Sequence, residues 1–135
     1  MKAIQIQKFG GPEVLTLAEL PVPKPKPDQA VVKLAAIGIN YIDVYFREGR
    51  YPSALPFISG QEGAGTVTEV GSETTAWKVG DRVAYTGVLG AYAEYAAVPA
   101  NRLISIPRGI SDQQAASAML QGMTAHYLVH DSYAI

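Results

Sequence analysis

Residues 59–71 read SGQEGAGTVTEVG, and how this stretch is read decides the fold. Gly60, Gly63 and Gly65 crowd one short segment, with Gln61 and Glu62 between them. A dinucleotide-binding loop needs G-x-G-x-x-G after a strand and before a helix, so that helix N–H groups face the pyrophosphate. Here the order is G-x-x-G-x-G, and the TVTEV that follows alternates as a strand does. The phosphate reading fails on both counts. What remains is a metal site or a bend between two core elements, at which the glycines permit tight turns. Gln61 and Glu62 are then buried polar groups in need of partners that the sequence does not name.

Outward from this stretch the chain reads as short strands. MKAIQIQK (1–8) alternates apolar and polar residues, Gly10-Gly11-Pro12 turns the chain, and VLTLAEL (14–20) is a second strand. PVPKPKPDQ (21–29) spaces its prolines by two. That misses the threefold period of a polyproline ligand and reads as a stiff surface connector. AVVKLAAIGIN (30–40) is a third strand, apolar enough for the core. YIDVYFREG (41–49) predicts a short helix ended by Gly49, with Tyr41 over Tyr45 and an exposed pair between Asp43 and Arg47. Three more strands fall in residues 81–87, 90–99 and 102–107. Strands at this spacing predict a mainly β, partly open barrel.

The end of the chain changes character. Ser111 and Gln114 form a capping box, and Ile110 is placed to staple onto Ala115. The Ala-rich segment behind them is helical, with Gly122 weakening or bending it. His126 and His130 have the spacing of a metalloprotease helix, but H-Y-L-V-H lacks the glutamate that should follow the first histidine. They read as a solvated face.

Composition narrows the function classes. Eleven basic and twelve acidic residues leave a net charge of −1, which argues against a nucleic-acid partner. There is no cysteine, so disulfides and thiolate metal sites are excluded, and the chain suits a reducing cytoplasm. No apolar run approaches the length of a membrane span.

IGINYIDVYFREG (37–49) and PFISGQEGAGTVTEVG (56–71), with KVGDRV (78–83), GAYAEYAAVP (90–99) and QGMTAHYLV (121–129), resemble the catalytic domain of the medium-chain dehydrogenase/reductase superfamily, a GroES-like barrel. In zinc-dependent members a cysteine sits at the position of Asn40 and a histidine at that of Gln61. Neither Asn nor Gln is a usual zinc ligand. GGPEVL (10–15), GINYIDVYFREGRYP (38–52) and GAYAEY (90–95) resemble the zinc-free branch, the zeta-crystallin-like quinone oxidoreductases.

The resemblance implies NADPH-dependent reduction of a quinone without zinc. By the same resemblance, Asn40, Tyr41, Ile42, Asp43 and Tyr45 border the nicotinamide end of the cofactor. Tyr45 and Tyr51 flank the acceptor as the catalytic pair, and Thr124 and Tyr127 contact the cofactor from the last helix. Residues 1–110 are then the barrel and residues 111–135 a helix leading toward a nucleotide-binding Rossmann domain missing from these 135 residues. The chain alone is expected to be inactive, to bind NADPH weakly or not at all, and to form a homodimer through an apolar helix face. Two alternatives stay open: an enoyl or enone reductase of the same superfamily, and a non-catalytic GroES-like binding or assembly module.

Overall fold

Strand β3 (Gln29–Gly38), the longest strand, is paired along both edges, by β5 and by β7. The computed structural model describes residues 1–133; Ala134 and Ile135, the last two residues of the expected linking helix, lie outside the described residues. The other elements are β1 (Lys2–Ile6), β2 (Thr16–Glu19), α1 (Tyr41–Arg47), β4 (Phe57–Ile58), β5 (Glu62–Val70), β6 (Arg82–Thr86), β7 (Tyr95–Pro99), β8 (Ile104–Ser105) and α2 (Asp112–Tyr127). A wider π turn over Leu128–Ser132 prolongs α2.

The strands form two antiparallel sheets, ordered β2-β1-β4 and β7-β3-β5-β6-β8. A single bridge from Ala3 to Ala93 joins them, with hydrogen bonds from Ile4 N–H to the Tyr92 carbonyl (2.8 Å) and from Ser59 N–H to the Ile4 carbonyl (3.2 Å). The strands do not close into a complete barrel, as the sequence led us to expect. Ala30, Val32, Val67, Val83, Tyr85 and Val98, all from the five-stranded sheet, form the main core cluster. Consecutive burial of Ala30, Val31 and Val32 shows that β3 is covered on both faces at its start.

Gly60 turns the chain before β5. Its φ of +83° is open to glycine alone at little cost, and a Cβ there would overlap the Tyr92 ring. The expectation that Gly63 and Gly65 bend the chain is corrected: both lie inside β5. There β5 runs so close to β3 that a Cβ at Gly65 would overlap the Lys33 carbonyl oxygen. Residues 55–58 also held an element that the sequence hid. The Leu55–Pro56 peptide is cis, and the two-residue β4 follows it to pair with β1.

Helix α2 begins as its sequence predicts. Gln114 N–H donates to Ser111 Oγ (3.2 Å) and Ser111 N–H donates to Gln114 Oε1 (2.9 Å). Arg82 secures this end, donating to the Ile110 carbonyl (3.0 Å) and pairing with Asp112 (2.6 Å). Ala115 and Ala116 then pack on Ala64, Ala84 and Ile106. The helix runs through Gly122 without ending, but from Gln121 onward its residues are exposed.

Candidate functional site

Asn40 leaves the end of β3 in extended conformation and caps α1. Its carbonyl accepts the Asp43 N–H at 3.0 Å and its backbone N–H donates to Asp43 Oδ2 at 3.0 Å, which places a carboxylate at the positive end of the helix. The same oxygen accepts the Tyr92 hydroxyl at 2.8 Å. Asp43 is buried, and its other oxygen, Oδ1, has no partner among the described residues. Burial pushes the Asp43 carboxyl above its ordinary value, against the two hydrogen bonds, which favour the ionised form. Burial and the neighbouring Asp43 both push the Tyr92 phenol up.

This arrangement overturns the exposed pair expected between Asp43 and Arg47. Capping turns Asp43 inward. Arg47 instead donates from Nε to the Gly10 carbonyl (3.2 Å) and lies 3.6 Å from Glu48. A cavity of about 210 Å³ opens beside these groups, lined among others by Ile39, Asn40, Asp43, Arg47, Ser59 and Tyr92.

On its other side the Asn40 side chain enters a string of hydrogen bonds that runs from buried Glu62 to exposed Gln121. Its Nδ2 donates to Glu62 Oε2 at 2.7 Å, and its Oδ1 accepts from Gln121 Nε2 at 2.9 Å. Glu62 has no exposed surface, and its Oε1 accepts the backbone N–H of Leu120, in the middle of α2, at 2.6 Å. One carboxylate at the start of β5 thus holds α1 and α2 together. Beside it Gln61 is buried, with Nε2 unpartnered among the described residues.

The tyrosines form a separate group. Tyr45 stands edge-to-face with Tyr41 (5.2 Å between centroids) and with Tyr51 (5.5 Å), and Tyr51 also meets Phe46 (5.5 Å). The Arg50 guanidinium lies 5.5 Å from the Tyr45 ring centre. Tyr41 and Tyr51 are exposed, Ile42 is half-buried, and none of the three tyrosines lines the 210 Å³ cavity. Thr124 lies one turn beyond Leu120 and donates its hydroxyl to the Leu120 carbonyl (2.7 Å). Tyr127 is exposed and shares no hydrogen bond or ring contact with the others among the described residues.

So Asn40 and Asp43 meet in one place, Tyr41, Tyr45 and Tyr51 in another, and Thr124 and Tyr127 follow along α2. Glu62, Gln121 and Tyr92 were not among the expected site residues. For Glu62 the sequence signalled burial among glycines and a need for partners, but not which partners. His126 and His130 lie 4.3 Å apart on exposed helix, and no group of three or more His, Cys, Asp and Glu gathers among the described residues.

Comparison with known proteins places this geometry in context. The alcohol dehydrogenase GroES-like domain family matches residues 26–108. The chain is 48% identical to a quinone oxidoreductase of Pseudomonas aeruginosa, over 98% of its own length and 41% of that protein's. It superposes on the quinone oxidoreductase of Escherichia coli, solved in complex with NADPH, with a TM-score of 0.96 and 42% identity; the match covers 100% of this chain and 42% of that one. A 2-haloacrylate reductase structure is 38% identical with a TM-score of 0.84, again over 100% of this chain and 41% of the other. The chain therefore spans about two fifths of the length of the proteins it matches.

Proposed function

This chain belongs to the alcohol dehydrogenase GroES-like domain family, and from that premise we propose that it forms the acceptor-side portion of a zinc-independent, NADPH-dependent quinone oxidoreductase. The observation that supports this most is the match along nearly its whole length to quinone oxidoreductases, one of them solved with NADPH. NADPH, when bound, supplies the hydride. Asn40, Tyr41, Ile42, Asp43 and Tyr45 border its nicotinamide end, Tyr45 and Tyr51 flank the acceptor, and Thr124 and Tyr127 contact the cofactor from α2.

The residues present fit such ligands. Gln61 Nε2 is a buried donor without a partner among the described residues, and Asn40 Nδ2 uses one hydrogen on Glu62 and keeps a second. Both suit the carbonyl oxygen of a quinone or carboxamide. Tyr45 and Tyr51 offer flat faces for a ring and hydroxyls to orient it. The same residues do not suit zinc. Asn40 and Gln61 offer neither thiolate nor imidazole, and the Asn40 amide is already engaged by Glu62 and Gln121. A quinone is electrophilic without a Lewis acid, so the work of the site is to align two rings and exclude water.

A second reading, reduction of an activated carbon–carbon double bond, is favoured by the likeness to the 2-haloacrylate reductase. NADPH oxidation by the complete protein, measured with benzoquinones against enones and enoyl thioesters, separates the two. Faster turnover of the quinones supports the first reading; turnover of the alkenes alone overturns it. A cytoplasmic location fits the cysteine-free composition. Homodimer formation fits an apolar groove of about 630 Å³ between α2 and β8, whose walls include Ile104, Ile110, Met119 and Met123.

A further inference from the structure

A side-chain amide placed between other amides has no inherent direction, since its oxygen and nitrogen can exchange places. Asn40 lies between Gln121, which is another amide, and Glu62, which is not. A carboxylate only accepts hydrogen bonds, so the atom that Asn40 turns to Glu62 is its nitrogen. Its oxygen then faces Gln121, and Gln121 must present its own nitrogen. The second oxygen of Glu62 is occupied by the Leu120 N–H, which keeps the carboxylate from rotating away. Glu62 has no exposed surface, which removes water as a substitute partner at its end of the string.

We infer that Glu62 is a positioning residue: it fixes the sense of the Asn40 amide and so keeps the second N–H of Asn40 available as a donor to a ligand carbonyl oxygen. That oxygen belongs either to the quinone or to the carboxamide of the nicotinamide. The inference rests on the function proposed above, but the string itself is tested without any substrate.

The test is a double-mutant cycle in the complete protein, using Asn40→Asp, Glu62→Gln and the two together. Asn40→Asp sets two carboxylates side by side. Glu62→Gln lets the Asn40 and Gln121 amides both turn over, which keeps the pairings but turns the Asn40 nitrogen toward Gln121. Asn40→Asp alone lowers the melting temperature by several degrees, whereas Glu62→Gln alone lowers it little and removes the donor sense at position 40. Together they restore every pairing: the introduced glutamine accepts from Leu120 N–H and donates to the introduced aspartate, which also accepts from Gln121. Formal charge is conserved, and most of the lost stability returns. Position 40 now offers only acceptors, so activity stays about 10- to 100-fold down. A fall in kcat for quinone with NADPH affinity intact assigns the donor to the quinone; weakened NADPH binding assigns it to the carboxamide.

Two results overturn the inference. If stability fails to recover in the double variant, the string does not run as described. If turnover and NADPH affinity recover along with stability, the donor sense of Asn40 is not used. A wild-type protein inactive toward quinones would instead remove the proposed function and leave the stability cycle readable.

Discussion

The Tyr92 hydroxyl donates to Asp43 Oδ2 at 2.8 Å, across 49 residues of sequence. It joins the turn before β7 to the first turn of α1. Burial holds the Asp43 carboxyl above its ordinary value of 3.8, so the folded chain binds this proton more tightly than the unfolded chain does. The sign follows: the contribution to stability is fully present below that value and is lost as pH rises through the folded value. Asp43→Asn should abolish this slope, so the stability of wild type relative to the variant should fall with rising pH in that window. Tyr92→Phe removes a donor that favours the ionised form. It should move the Asp43 titration further upward and cost about 1–3 kcal/mol. A carboxyl titration followed by NMR that moves down, or stays put, would contradict this account.

Tyr51 meets Tyr45 and Phe46 edge-to-face and is 43% exposed. Tyr51→Ala should therefore cost at most about 1.5 kcal/mol of stability. In the complete protein it should impair quinone turnover more than NADPH binding. Unchanged turnover with weakened NADPH affinity would reverse the assignment of this residue to the acceptor side.

The capping box at Ser111 is exposed, so its contribution is local. Ser111→Ala should lower stability by about 1 kcal/mol, visible in the denaturation midpoint, with the helical signal in circular dichroism little changed. Ser111→Asp, which keeps an acceptor at the cap, should recover most of it. Equal losses in both variants would show that the cap is not what starts α2.

Zinc offered in excess and then removed by gel filtration should leave the protein with far less than one equivalent. Elemental analysis is the measurement. One tightly held zinc per chain would sink the zinc-independent reading, because the amides of Asn40 and Gln61 cannot supply such a site.

The 135 residues alone should not oxidise NADPH with a benzoquinone. Hydride transfer needs both rings held at contact distance, and this sequence has no glycine-rich strand-to-helix turn for a pyrophosphate. Sedimentation should show self-association through the groove beside α2. Met123→Lys, at an exposed position on its wall, should weaken that association. A homogeneous monomer with quinone-dependent NADPH oxidation would refute both expectations.

The strands were legible because alternation, glycine and proline punctuate them locally, and α2 because Ser111 and Gln114 mark its start. Strand β4 was not, since Phe57 and Ile58 stand outside any strand-like run, whereas the two residues of β8 lie inside one. Gly63 and Gly65 misled for a physical reason: a glycine that permits a turn and one that permits close packing of strands look alike in sequence. At the site, resemblance singled out Asn40, but nothing local could join it to Glu62 and Gln121, which lie 22 and 81 residues away. Asp43 was misread because helical spacing predicts which residues share a face, and not whether a cap has drawn one of them inward.

The pairing of β3 along both edges has a consequence for how the chain reaches this state. Its β5 partner follows soon after, but β7, which covers the other edge, begins only at Tyr95, long after β3 has ended at Gly38. Pairings between distant segments form slowly, because the intervening loop must close before any contact rewards it. During synthesis β3, which will finish without a free edge, therefore waits with one until β7 has been made. In that interval a second nascent chain can offer β3 its missing neighbour sooner than its own chain can.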